Sequence, residues 1–241
     1  MVKVFRNHCH GSTVIVSEFV RNKTSFIRKS SYSSDGIENL KREYEGYKWY
    51  CEKSISPTKL ECLNLDNKYF EVCIEMVHHD EPLKRELSYK NVTQFCSSID
   101  HYLDVWGRGS DDLDLHPIHG DFSLDGNILF VEGSVFIIDW EHFHHKVAPL
   151  GFDVLFMIFE GLKLSIGSKL PSIEDIELVN LLVEYANRSG ALDRYFLGKT
   201  FKNFLEVQSK ITYVWGGQIT KIPTFQFSTE QIKFISRLIR S

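Results

Sequence analysis

Three oxygen-bearing side chains that could do chemistry stand in one short part of the chain. Asp121 and Asn127 lie in a loop over 119–127, and two apolar runs after that loop end at Asp139. Only Glu132-Gly133-Ser134 separates the runs, so they predict a hairpin that would bring the three side chains together. Two carboxylates and an amide oxygen suit a hard cation such as Mg²⁺. This set is typical of phosphoryl transfer, where one carboxylate accepts a hydroxyl proton and oxygen ligands hold a metal on nucleotide phosphates.

The composition limits the classes of protein to consider. The chain has 241 residues, of which 43% are hydrophobic and 25% charged, which is typical of a globular protein with a substantial core. Its formal net charge of −4 offers no basic surface for a phosphate backbone, so nucleic acid is not an expected partner.

The compartment is predicted from several absences in the sequence. No apolar run approaches the ~20 residues of a membrane span, and the N-terminal segment does not resemble a signal peptide. The five cysteines are scattered without a Cys-x-x-Cys pair, which favours a reducing environment. We therefore expect a soluble, cytoplasmic protein, and no feature indicates an obligate protein partner.

The first part of the chain has strand patterns around a single helix. Residues 1–30 alternate apolar and polar positions and predict three antiparallel strands, with a turn at 21–24. Apolar residues then recur every three or four positions from Asp35, which predicts a helix with Ser34 or Asp35 as its N-cap. Two further strands are predicted, over 60–65 and 69–77.

The second part is predicted to be mainly helical. Helical spacing covers 92–106 and ends at Gly107. Everything after the hairpin is predicted to be helical, near 152–164, 173–186, 192–214 and 229–239. The chain turns polar at 78–82, so we predict one domain over 1–77 and a second over 78–241.

At this point the sequence resembles a known family. The His-Gly-Asp loop with its downstream Asn, followed by Ile-Asp-Trp-Glu at 138–141, is similar to the aminoglycoside phosphotransferase and choline kinase superfamily, whose members are relatives of the protein kinases. The resemblance implies an α+β, bilobal, protein-kinase-like fold. A small antiparallel-sheet lobe with one helix would bind the nucleotide, and a larger, mainly helical lobe would carry the catalytic loop and the acceptor site.

The resemblance also implies an activity and its partners. The chain would be a kinase that uses ATP and Mg²⁺ to phosphorylate the hydroxyl of a small molecule, such as an amino alcohol, an amino sugar or a sugar. Asp121 would be the catalytic base and His119 would support its loop. Asn127 and Asp139 would bind the metal, and Asp153 would buttress the loop from the start of a helix.

Weaker matches in the small lobe imply a nucleotide site. Lys29, in Phe26-Ile27-Arg28-Lys29, would bind the phosphates and pair with Glu43 of the helix. A one-residue slip of the strand would turn Arg28 inward instead.

Two other stretches of the small lobe would contact the nucleotide. Ser12 and Thr13, after Gly11, would cover the phosphates. Glu75 and Val77 would lie at the hinge that hydrogen-bonds the adenine.

One departure from the family pattern supports a different function. Five residues separate Asp121 from Asn127, whereas the family usually has four, so a bulge must absorb one residue or Asn127 is displaced. This spacing and the absence of a glycine-rich phosphate loop favour, as an alternative, a non-catalytic kinase-like nucleotide-binding or scaffold protein.

Other side chains have two interpretations each. His142, His144 and His145 could bind a transition metal, although solvated or substrate-lining histidines are the commoner case. Aromatic residues belong by default to the core but could face a substrate; these are Trp140, Tyr213 and Trp215. Acidic residues near the loop could favour a cationic acceptor, to which Trp140 would add a cation–π face, or could form a solvated loop; these are Asp111, Asp112, Asp114 and Asp125.

Overall fold

The computed structural model divides the chain into two compact units. The first unit contains Met1–His78, Asp139–Phe143 and Thr212–Thr220, and the second contains the rest of the chain. The residues that the structure describes are 3–9, 12–54, 59–65, 68–77, 87–107, 115–124, 126–166, 170–211, 213–215, 218–220 and 227–239.

A five-stranded antiparallel sheet forms the base of the first unit. Its strands are β1 (Lys3–Cys9), β2 (Ser12–Arg21), β3 (Thr24–Ser31), β4 (Leu60–Leu65) and β5 (Tyr69–Glu75). They lie in the order β1-β2-β3-β5-β4. In the turn from β2 to β3, Asn22 and Lys23 have φ values of 52° and 67°. Positive φ at both central residues is what a two-residue hairpin turn requires when its twist matches that of the strands. The predicted meander of three strands followed by a helix and two more strands is confirmed.

One long helix, α1 (Ser34–Lys53), packs on this sheet against β3 and β5. It buries Ile37, Leu40 and Tyr47. The predicted N-cap at Ser34 or Asp35 is wrong, because Ser33 takes the extended conformation that a cap needs and its Oγ accepts a hydrogen bond from the Gly36 N–H at 3.1 Å.

Helices dominate the second unit. They are α2 (Val92–Trp106), α3 (Phe152–Ile166), α4 (Ile173–Ser189), α5 (Thr200–Gln208) and α6 (Thr229–Leu238). Helix α3 lies at the centre, where it packs against α2, α4 and α5 and buries both apolar and aromatic side chains such as Leu155 and Phe156. The end of α2 at Gly107, whose φ is 84°, is as predicted.

Short strands interrupt the helical part, and here two predictions are wrong. The strands are β6 (His116–Ile118), β7 (Ile128–Val131), β8 (Ser134–Ile137), β9 (His144–Ala148), β10 (Tyr213–Trp215) and β11 (Gln218–Thr220). The β7–β8 pair is the predicted hairpin. Strand β9, which pairs with β6, lies where only helix was predicted. The single helix over 192–214 is also wrong, because Gly198 at φ 85° separates a short 3-10 helix, Arg194–Phe196, from α5, and β10 follows.

The domain boundary is only partly described. Segments 139–143 and 212–220 group with the first unit, whereas a division after 77 places them in the second domain. Residues 78–82, around the predicted boundary, lie outside the described residues. The assignment of nucleotide binding to 1–77 and of acceptor binding to 78–241 stays a prediction.

Within the parts of the chain that the structure describes, no helix is both long enough and apolar enough to cross a lipid bilayer.

Candidate active site

Lys29 is the centre of an ion-pair cluster in the first unit. Its Nζ donates to Glu43 Oε1 at 2.6 Å and to Asp139 Oδ1 at 2.7 Å. Arg28, on the opposite face of β3, donates from Nε to Ser17 Oγ at 3.0 Å. The register of β3 therefore selects Lys29 rather than Arg28 as the partner of Glu43.

The three charged groups of this cluster differ in exposure. The side chain of Glu43 is 2% exposed, that of Lys29 20% and that of Asp139 37%. Burial acts to lower the pKa of Lys29, but Asp139 and Glu43 outweigh it and raise that pKa well above its ordinary value. Lys29 is therefore a permanent cation. Its partner Asp139 is the carboxylate that a ligand can reach from solvent.

The backbone of Asp139 is held by helix α1. Asp139 has φ 63°, in the left-handed region that costs a non-glycine residue about 1 kcal/mol and that aspartate tolerates better than most residues. Its N–H donates to the Tyr47 hydroxyl oxygen at 3.2 Å. Sequence analysis missed Tyr47 as a site residue, although its position four residues after Glu43 places both on one face of α1.

Segment 139–143 packs on α1 through aromatic side chains. Trp140 is fully buried, with ring centroids 5.3 Å from Tyr50, 5.9 Å from Trp49 and 5.8 Å from Phe143. The alternative that Trp140 presents a cation–π face to a substrate is wrong, because its ring lies in this cluster. The default assignment of Trp140 to the core is confirmed.

The histidines near this segment differ in exposure. His142 is buried and His145 is exposed. Over the residues that the structure describes, which include His142, His144 and His145, no group of three or more His, Cys, Asp or Glu could hold a metal ion. The described residues thus give the transition-metal alternative no group of ligands, and the role of these histidines stays a prediction.

In the second unit, Asp153 holds the loop that carries Asp121. This carboxylate is fully buried in the first turn of α3. Its Oδ2 accepts the N–H of His119 at 2.8 Å and its Oδ1 accepts the N–H of Gly120 at 3.1 Å. Burial raises the pKa of Asp153 to about 7, although the two amide donors act to lower it. This is the contact that a buttress of the loop would make.

His119 links two backbone groups of the same unit. Its ring is fully buried, its Nδ1 accepts the Asp121 N–H at 3.2 Å, and its Nε2 lies 2.9 Å from the Ile138 carbonyl oxygen. Because an amide N–H only donates, Nδ1 carries no proton and Nε2–H donates to Ile138. His119 is thus a neutral imidazole that fixes the Asp121 backbone.

Asn127 returns to Asp121 despite the five residues between them. Its Nδ2 donates to the Asp121 carbonyl oxygen at 2.7 Å. The Ile138 N–H donates to the Asn127 carbonyl oxygen at 2.8 Å, and Gly126, at φ 121°, takes a conformation that favours glycine. The extra residue therefore does not displace Asn127 from Asp121. That Asp139, the residue after Ile138, converges with these two stays a prediction.

The predicted phosphate cover is only partly described. The backbone of Ser12 and Thr13 begins β2, where they pair with Cys9 and His8. Gly11 and the side chains of Ser12 and Thr13 lie outside the described residues, so their contact with phosphates stays a prediction.

The predicted hinge follows the sheet. The Glu75 N–H donates to the Lys59 carbonyl oxygen at 2.9 Å and the Met76 N–H to that of Ser25 at 2.8 Å. These two amides are therefore engaged within the unit. Val77 is the last described residue before 78, and adenine binding at Glu75 and Val77 stays a prediction.

Several further candidates cannot be placed. Asp111, Asp112, Asp114 and Asp125 lie outside the described residues, as do the side chains of Tyr213 and Trp215.

Asp139 and Asn127 each carry an oxygen atom of the kind that Mg²⁺ prefers, and their joint binding of this cation stays a prediction. Both offer hard oxygen atoms, and the Asn127 amide nitrogen is already directed at the Asp121 carbonyl. Mg²⁺ in proteins keeps several water ligands and takes substrate phosphate oxygens as further ligands. Mg²⁺ characteristically binds through one or two protein oxygens in this way.

The two units define an α+β, protein-kinase-like fold, and the predicted bilobal fold class is confirmed. The chain matches the solved structure of WaaP in complex with acyl carrier protein, with TM-score 0.52 and 11% identity over 87% of both chains. It also matches a thermostable mutant of aminoglycoside phosphotransferase APH(4)-Ia in its apo form, with TM-score 0.48 and 9% identity, covering 86% of this chain and 84% of that one. The second score is too low to establish a shared fold. No protein-family model and no curated protein matches the sequence.

Proposed function

We propose that the chain is an ATP-dependent phosphotransferase that transfers the γ-phosphate to the hydroxyl of a small molecule with Mg²⁺ as cofactor. The observation that carries this proposal is the bonding of Lys29 Nζ to Glu43 at 2.6 Å and to Asp139 at 2.7 Å. The buried carboxylate fixes the ammonium group, and the more exposed one can be reached by a ligand. A permanent cation with this pair of partners suits the binding of nucleotide phosphates.

The nucleotide side of the reaction uses the first unit. Phosphate oxygens of ATP would join Glu43 as partners of Lys29, in place of Asp139. The carboxylate of Asp139, with the amide oxygen of Asn127, would then hold Mg²⁺, which neutralises charge on the phosphates. Ser12, Thr13, Glu75 and Val77 remain the proposed contacts of the phosphates and the adenine.

The acceptor side uses the loop of the second unit. Asp121 would orient the acceptor hydroxyl and accept its proton, a contribution of about 10² to 10⁴ in rate. The Asp121 amide is bonded to His119, and the two residues before it are bonded to Asp153, so this loop is held before any substrate arrives. Both ring nitrogens of His119 are bonded to backbone groups of its own unit, and we assign His119 a positioning role.

The spacing before Asn127 and the absence of a glycine-rich phosphate loop favour the alternative, a non-catalytic nucleotide-binding or scaffold protein. Of these two reasons, the described residues address only the spacing. The hydrogen bond from Asn127 to Asp121 removes that reason, since the extra residue leaves the two residues in contact. A phosphate-transfer assay distinguishes the alternative from the proposed activity.

Transfer of radiolabelled phosphate from ATP tests the proposal directly. The acceptors would be a panel of amino alcohols, amino sugars and neutral sugars, with acyl carrier protein, which is bound in the WaaP structure, as a separate arm. We expect Mg²⁺-dependent transfer to at least one small molecule. ATP binding without transfer to any member of the panel would support the non-catalytic alternative.

The variant Asp121→Asn then tests the base. We expect turnover to fall by about 10² to 10⁴ with nucleotide affinity nearly unchanged. Asp104→Asn makes the same chemical change at an exposed position of α2 and should leave turnover intact. Near-normal turnover of Asp121→Asn would remove Asp121 from the base role.

A further inference from the structure

We propose that Tyr47 is a positioning residue for the metal-binding carboxylate of Asp139, and that its hydroxyl rather than its ring carries this role. The proposal rests on the proposed function, because it assigns to Asp139 the binding of Mg²⁺.

Helix α1 contacts Asp139 directly through Tyr47 and is linked to it a second time through Lys29 of β3. The Tyr47 hydroxyl oxygen accepts the Asp139 N–H at 3.2 Å. One turn earlier, Glu43 holds Lys29 at 2.6 Å, and Lys29 holds the Asp139 carboxylate at 2.7 Å. The helix thus fixes the backbone of Asp139 through Tyr47 and its carboxylate through Glu43 and Lys29.

The backbone contact is the one that ATP binding would leave in place. Phosphates compete for Lys29, so the link from Glu43 to the carboxylate is weakened when a nucleotide binds. The Tyr47 hydroxyl is buried and holds Asp139 at φ 63°, a conformation that aspartate does not favour by itself. Without the hydroxyl, Asp139 can relax to negative φ, and its carboxylate then points in another direction.

The ring of Tyr47 has a separate and more replaceable role. It lies 6.4 Å from the Trp140 ring, centroid to centroid, while Tyr50 and Trp49 lie closer, at 5.3 and 5.9 Å. Packing of Trp140 therefore does not depend on Tyr47 alone. The variant Tyr47→Phe keeps the ring and removes only the acceptor of the Asp139 N–H.

Titration calorimetry with ATP, with and without Mg²⁺, separates the two roles. We expect Tyr47→Phe to weaken the Mg²⁺-dependent part of ATP affinity about tenfold, the loss typical of one hydrogen bond. Metal-free ATP affinity and the melting temperature should stay close to those of Tyr50→Phe, a control with the same chemical change on the same helix. Equal Mg²⁺ dependence in Tyr47→Phe and wild type would overturn the proposal, as would a parallel loss of both affinities with a lowered melting temperature.

Amide hydrogen exchange at Asp139, followed by NMR in the ligand-free protein, does not need a nucleotide. We expect faster exchange of this amide in Tyr47→Phe and no change in Tyr50→Phe. If wild type fails to bind Mg²⁺ and ATP, the proposed function falls, and the exchange rate still decides whether the hydroxyl holds Asp139. Unchanged exchange in Tyr47→Phe would overturn the positioning role in either case.

Discussion

Lys29 in the first unit and Asp121 in the second are held by different kinds of interaction. Lys29 is bonded to two carboxylates, one buried and one 37% exposed. The loop of Asp121 is held through backbone groups, which are bonded to a neutral His119 and to Asp153, both fully buried. The first arrangement is an ion-pair cluster at the surface of a sheet, and the second is a dry network of hydrogen bonds.

The difference would suit the two tasks of the proposed phosphotransferase. A cluster of charges can exchange one partner for a ligand, because phosphate oxygens replace carboxylate oxygens on the same ammonium group. A buried network cannot exchange partners without exposing unpaired polar groups, so it keeps the Asp121 loop fixed. Ligand binding should therefore rearrange the Lys29 cluster and leave the Asp121 loop in place.

The largest effect is expected in the pH dependence of stability, because Asp153 of the buried network is a titratable group. The pKa of Asp153 rises from 3.8 to about 7 on folding, so the folded state keeps a proton that the unfolded state releases. Its contribution to stability is full below about pH 4 and is lost as the pH rises to about 7, by at most about 4 kcal/mol. Urea unfolding at several pH values measures this fall.

Two variants isolate the contribution of Asp153. Asp153→Asn should lose this part of the pH dependence, whereas Asp104→Asn, which changes an exposed carboxylate, should keep it. Parallel pH profiles for wild type and Asp153→Asn would show that burial of Asp153 does not raise its pKa.

The β7–β8 hairpin and the return of Asn127 to Asp121 could be predicted because these residues are close in sequence. Loop 119–127 and the hairpin follow one another, and a hairpin brings its two ends together. The pairing of Lys29 with Glu43 needed the strand register as well, since Arg28 is chemically as good a candidate. That register is set by pairing with β2 and β5, which local sequence does not determine.

The contacts that the sequence did not reveal depend on tertiary packing. Tyr47 follows the helical pattern of a core residue, and only the fold places its hydroxyl at the Asp139 amide. Strand β9 was missed because its partner, β6, lies more than 20 residues earlier in the chain. Trp140 was open to two interpretations because burial of a tryptophan cannot be derived from its immediate neighbours in sequence.

Replacing Lys29 by an uncharged residue tests whether the stability of the first unit depends on the Lys29 ion-pair cluster. Lys29→Met leaves Glu43 buried without its partner and should lower the free energy of unfolding by about 3 kcal/mol. Arg28→Met, on the opposite face of the same strand, should cost below about 1 kcal/mol, the value of a partly exposed hydrogen bond. Chemical denaturation of both variants gives the two values. Equal losses would mean that the cluster does not distinguish the two faces of β3.

Alanine substitution at one glycine in each unit tests how tightly that unit is packed. The expected changes in stability are smaller than those above. A Cβ at Gly46 of α1 would lie 2.6 Å from Trp140 Cβ, whereas one at Gly161 of α3 would lie 3.1 Å from the far end of the Phe95 ring. We expect Gly46→Ala to lower the melting temperature through a loss of about 1 kcal/mol or more. Gly161→Ala should be close to neutral, since alanine favours a helix by up to about 1 kcal/mol. The opposite order would show that segment 139–143 yields more easily than the α3 core.

Asp139 and Lys29 together form the proposed site for Mg²⁺ and ATP. Thermal denaturation with ATP and Mg²⁺, each alone and together, tests it in wild type and Asp139→Ala. A ligand that binds only the folded state raises stability with its concentration. We predict a shift that needs both ATP and Mg²⁺ in wild type and that is lost in Asp139→Ala. No shift in wild type, or the same shift in the variant, would contradict the claim.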